Sequence, residues 1–246
     1  MILRRWRSEA GVTMTEALVA SLISLTVTAA VLALVHPARG IFQAQPEMAE
    51  MHQRLRVAVD SIARDLLMAG AGRPAGAAAV MPYRVGARES DIDAGVTFRP
   101  DAVSVRYVPW ETEDIVSRTY YLQSDPESDT FQLMQYDGAV TDLPLVDHVV
   151  GLAFTYMDAG GVSLDPAVFQ DGPWEADPET GSPFDEDLRR IGRVRVMVRL
   201  RAALASMRGA SGALFTRGGT STSAERFIPD LPVEFDVTLR NRNAGG

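Results

Sequence analysis

The sequence predicts an α+β protein in which one long amino-terminal helix packs on an antiparallel β-sheet. An uncharged apolar run leads into a segment of helical period, beyond residue 102 the period falls to two, and the two regimes do not interleave. Helix first and strands afterwards favour a helix laid on a sheet over alternating βαβ units.

The helix has two parts. Residues 17–38 carry no charged side chain. Their densest part, 17–35, would span roughly 28 Å at about 1.5 Å per residue, close to the hydrocarbon thickness of a bilayer. Arg4, Arg5 and Arg7 precede it and Arg39 follows, which predicts a cytoplasmic amino terminus with the rest across the membrane. A discarded secretory signal fits poorly: the run is long, and "LVHPARG" offers His36 where a small residue is wanted. His36-Pro37, Gly40 and Pro46 predict an interruption of the helix. A second helical stretch follows. Met48, Met51, Leu55, Val59, Ile62, Leu66 and Ala69 form its apolar face. Glu50, Arg54, Asp60, Arg64 and Asp65 fall on the polar face, with Asp60 and Arg64 an i, i+4 pair.

Residues 70–82, "GAGRPAGAAAVMP", read as a flexible loop; the Gly-x-Gly follows a helix, which excludes a dinucleotide-binding turn. Strands are predicted at 102–108, 118–123, 130–136, 146–158, 193–202 and 233–241. In the last two, Val194, Val196, Val198 and Leu200, and Val233, Phe235, Val237 and Leu239, would face the core. Polar insertions are expected at 158–188 and 205–226.

Composition limits the function. A net charge of −8 and a pI of about 5.0 oppose general nucleic-acid binding through phosphate neutralisation. The absence of cysteine removes disulfides, thiolate metal sites and cysteine nucleophiles. His36, His52 and His148 lie in unrelated segments, and no G-x-S-x-G, P-loop or H-E-x-x-H pattern occurs. No enzyme is indicated, and neither a small-molecule substrate nor a cofactor is expected. The acidic insertion offers Asp171, Asp177, Glu179, Asp185 and Asp187 as oxygen ligands that would suit calcium. The spacing is not that of an EF-hand, and Asp-Pro and Asp-Gly also build ordinary solvated turns. Arg195, Arg199 and Arg201 share the polar face of one strand. They would capture DNA, or else meet Glu234 and Asp236 on the last strand or water; the acidity of the chain favours the latter.

The stretch "GVTMTE" before an uncharged apolar helix resembles the class III leader of type IV pilins and type II secretion pseudopilins. The resemblance implies cleavage between Gly11 and Val12 by a prepilin peptidase, N-methylation of Val12, and an assembly role for Glu16. In the family, that glutamate is thought to meet the amino terminus of a neighbouring subunit. Val12 departs from the Phe the family prefers. Physics gives Glu16 a role as well, because a carboxylate on a membrane helix is costly unless paired. "SIARDLLMAGAG" (residues 61–72) is further similar to the end of the long helix in PilW-like minor pilins.

The resemblance therefore implies a pilin-like fold. It comprises a leader at 1–11, a transmembrane and filament-core helix at 12–38, an amphipathic stalk at 39–70 and a periplasmic β-rich domain at 71–246. The expected protein is a minor pilin of a type IV pilus, held in the inner membrane and passed into the filament in a priming or tip role, with other pilins, the peptidase and membrane lipid as partners. A J-type pseudopilin of type II secretion shares these features. A single-pass, membrane-anchored binding domain or enzyme is the alternative of another class.

Overall fold

The computed structural model describes residues 12–72, 78–82, 101–124, 130–138, 140–169, 186–204, 207–208 and 228–241. A single helix, α1 (Met14–Met68), runs for 55 residues, about 83 Å at ~1.5 Å per residue. Among the described residues seven strands follow: β1 (Val80–Met81), β2 (Val103–Tyr107), β3 (Val116–Ser124), β4 (Phe131–Tyr136), β5 (Asp142–Met157), β6 (Arg193–Leu200) and β7 (Leu231–Thr238). They form one antiparallel sheet in sequence order, each strand paired with the next.

The interruption predicted at Pro37, Gly40 and Pro46 does not occur; α1 is helical throughout. Proline costs a helix about 3 kcal/mol by removing a donor and crowding the preceding turn. At Pro46 the lost bond falls on an exposed face, beside an exposed Phe42, where water can satisfy the freed carbonyl. Ala44 and Glu47 are buried on the other side of the same turn, so tertiary packing holds the segment in place.

The carboxyl-terminal half of α1 packs on the sheet. Ala44, Met51, Leu55, Ala58, Ile62, Leu66 and Ala69 are buried, while Met48 and Val59 pack partly exposed at the margin of the stripe. Val194, Val196, Val198 and Leu200 of β6 meet them in one core. On β7, Val237 and the following Leu239 are buried, but Val233 and Phe235 are only partly so. β7 stands at an edge of the sheet, with β6 on one side only. Among the described residues the i, i+4 ion pair on the helix is Glu50–Arg54, and Asp60–Arg64 does not form. Asp65, expected on the polar face, is buried.

Both sides of the sheet are tied to the end of α1. Gly70 N donates to Arg106 O at 2.9 Å and Val108 N to Ala71 O at 2.8 Å on one side. Asn241, just past β7, donates from Nδ2 to Leu67 O at 3.4 Å on the other. The chain can pass because residue 70 is glycine: its φ is +75°, and a Cβ there would lie 2.1 Å from Asn241 O. The 70–82 segment is therefore no featureless loop in its described parts. Ala78, Val80 and Met81 are buried, and β1 pairs with β2.

β5 is 16 residues long and bends. Register shifts interrupt its pairing with β4 between Phe131 and Met134, and with β6 between Val149 and Gly151. His148, at the bend, has φ of 60°. Pro144 is accommodated because this end of β5 pairs with β4 alone, leaving its other edge free of a ladder. The described ends of the 158–188 insertion are also more than a surface loop: Leu164, Phe169 and Leu188 enter the core. Phe169 meets Tyr156 edge-on, with ring centroids 5.4 Å apart.

Candidate assembly site

Thr13 is the N-cap of α1, in extended conformation, and Glu16 is the third helical residue. Glu16 N donates to Thr13 Oγ1 at 3.3 Å, and Thr13 N returns a bond to Glu16 Oε2 at 2.8 Å. Thr13 Oγ1 also donates to Glu16 Oε2 at 2.8 Å. This is a capping box, in which two orphan donors of the first turn are satisfied reciprocally. Its signature, Thr-x-x-Glu before an apolar run, is legible in the sequence. Glu16 Oε1 has no partner among the described residues. Val12 is exposed immediately outside the cap, and Gly11 lies outside the described residues.

Beyond the cap, residues 12–33 are all exposed, including Leu18, Leu22, Ile23, Leu25, Val27 and Leu32. A helix with so many bare aliphatic side chains needs lipid or other helices around it. Met14–Ala33 is long and apolar enough to cross a membrane. Three polar side chains on it are satisfied internally: Ser21, Thr26 and Thr28 donate to the carbonyls of Ala17, Leu22 and Ser24 at 2.7–2.8 Å. These three hydroxyls are thus not presented unpaired to hydrocarbon.

Other candidates are accounted for differently. Asp171, Asp177, Glu179 and Asp185 lie outside the described residues. Asp187, on a 3-10 turn (Glu186–Arg190), pairs with Arg190 at 3.0 Å. Among the described residues no three His, Asp or Glu side chains gather into a metal site. Arg195 meets both predicted acids, with two bonds to Asp236 at 2.7 and 3.1 Å and Glu234 at 3.2 Å. The bonded Asp236 carboxylate raises the Arg195 pKa, and the guanidinium lowers that of Asp236. Arg199 donates to Val150 O at 3.2 Å, and Arg201 holds Asp230.

One polar cluster escaped sequence reading. Asp65, buried between α1 and the sheet, accepts from Tyr120 Oη at 2.6 Å, from Gln135 Nε2 at 3.2 Å and, more distantly, from Tyr107 Oη at 3.4 Å. Gln135 also donates to Tyr120 Oη at 2.8 Å. Burial, and then the charge of Asp65, push the Tyr107 and Tyr120 phenols up. Burial alone does the same to Tyr156. A second inward acid, Glu47, accepts from Ala203 N just past β6. A shallow cleft bordered by Arg118, Gln135, Asp137, Thr141 and Leu143 adjoins the Asp65 cluster.

No known protein family and no curated protein matches the chain. Among solved structures, the chain is similar to a type IV-like pilin from Thermus thermophilus, at 13% identity and a TM-score of 0.41, with 78% of this chain and 97% of that one covered.

Proposed function

We propose that this chain is a prepilin-type structural subunit, most like a PilW-like minor pilin, that is anchored in the inner membrane and then packed by its amino-terminal helix into a pilus-class filament. The observation that carries the reading is the bare apolar rod of residues 12–33, which begins at a capped carboxylate immediately after Gly11-Val12. Cleavage there would free an ammonium on Val12. Glu16 Oε2 is occupied by the cap, while Oε1 remains for the ammonium of a neighbouring subunit. In a low-dielectric helix bundle such a pair fixes axial register, which aliphatic contacts alone define poorly.

The capping box sharpens the experiment. Glu16→Gln keeps an acceptor that can complete the box and removes the charge. The reading predicts normal cleavage and loss of incorporation into sheared surface filaments. Wild-type incorporation of Glu16→Gln would mean that the residue serves its own helix and no neighbour.

A further inference from the structure

Two exposed surfaces of this chain complement one another and make no ion pair among the described residues. The first is the loop between β2 and β3. Val108 N is bonded to Ala71 O, so the loop leaves the molecule at the end of α1 farthest from the apolar rod. Residues 110–115 are all exposed, Trp110 at 89%. Glu111, Glu113 and Asp114 have no cationic partner among the described residues. The second surface is the outer stripe of α1: Arg56, Val57, Asp60, Arg64 and Leu67, exposed on the helix face away from the core. Neither arginine is in an ion pair among the described residues.

We propose that the 110–115 loop of one copy docks on the 56–67 stripe of a second copy. An indole face holds a guanidinium by cation–π attraction, and carboxylates around it favour a basic partner surface over an acidic one. Val57 and Leu67 supply apolar area for Trp110 and Ile115. The contact joins two different patches, so it is heterologous: each copy offers the loop to one neighbour and the stripe to another. The axial offset, though not the complementarity, rests on the filament reading above. Pairing Glu16 of one copy with Val12 of its neighbour shifts the neighbour by four residues, about 6 Å, toward the far end. That shift sets the level of Ala71 in the first copy beside Leu67 of the neighbour, with Arg64 one turn below. One offset therefore serves both contacts.

The chain has no cysteine, so introduced thiols are unambiguous. Full-length Thr112→Cys and full-length Leu67→Cys are co-expressed, oxidised gently in membranes and in sheared filaments, and scored for disulfide-linked dimer. Val162→Cys, exposed elsewhere, replaces Thr112→Cys as the control. The expected result is at least a ten-fold excess of dimer over the control, reduced by Arg64→Glu or Trp110→Ala. Dimer at the control level, or trapping of residue 112 on a different protein, overturns the docking. The amino terminus is sequenced in the same sample. A terminus at Val12 without dimer defeats the docking alone, whereas an intact Met1 defeats the filament reading whatever the thiols do.

Discussion

Removing the Asp65 carboxylate should loosen α1 from the sheet. In Asp65→Ala, Tyr120 Oη loses a charged acceptor at 2.6 Å, and a hydrogen bond to a charged group is worth about 1.5–3 kcal/mol. Gln135 keeps Tyr120 Oη as its acceptor, and Tyr120 can turn its proton to Ser61 O at 3.0 Å, which limits the loss. Tyr107 at 3.4 Å adds little. The expected cost is about 2–3 kcal/mol, a substantial share of a domain's ~5–15 kcal/mol. Tyr120→Phe should cost a similar amount, because it leaves the buried carboxylate short of its best donor. The double variant should lose clearly less than the sum, with a coupling of about 1 kcal/mol or more. Urea unfolding of the full chain in detergent micelles, followed by circular dichroism, measures all three. If both single variants fall within about 0.5 kcal/mol of the parent, as ordinary surface changes do, the cluster does not clamp the helix.

Three further outcomes follow from the same geometry. Gly70→Ala should be severely destabilising, because the added Cβ would sit 2.1 Å from Asn241 O at a φ of +75°; a melting temperature within a degree or so of the parent would contradict the close approach. Thr13→Val should lose about 1 kcal/mol of cap stability, seen as faster amide exchange over residues 14–17 in micelles; unchanged exchange would mean that the box is not populated. In an alkaline absorbance titration, Tyr107, Tyr120 and Tyr156 should lag behind ordinary phenols, since their folded pKa values are raised. The stability they contribute is complete below the unfolded tyrosine value of about 10 and is lost as pH rises through the folded values. All six tyrosines ionising together near that value, in protein still folded, would refute the burial.

Six of the seven strands were legible because alternation survives wherever one face is buried. β1 was not, since two residues carry no period. The continuity of α1 was hidden by Pro37 and Pro46; at Pro46 the local cost is offset by the packing of Ala44 and Glu47 on the same turn. Asp65 was misplaced because a carboxylate reads as solvent-facing unless its partners are known, and Tyr107, Tyr120 and Gln135 come from strands 42 to 70 residues away. Phe169 and Leu188 were lost in an acidic stretch with no periodicity. At the amino terminus the Thr13-x-x-Glu16 cap signature is legible, since its residues lie within one turn of helix, while the roles of Gly11, Val12 and Glu16 in cleavage and assembly stand as proposals. What the structure added there is the cap, which gives Glu16 a local partner before any neighbour arrives.

On the proposed reading, the apolar rod stays with the protein and begins at a newly made amino terminus. Intact-mass and amino-terminal peptide spectrometry of the chain extracted from membranes tests it most directly. The expected amino-terminal peptide begins at Val12 and carries one methyl group. An intact Met1, or a cut beyond Val35, would contradict it.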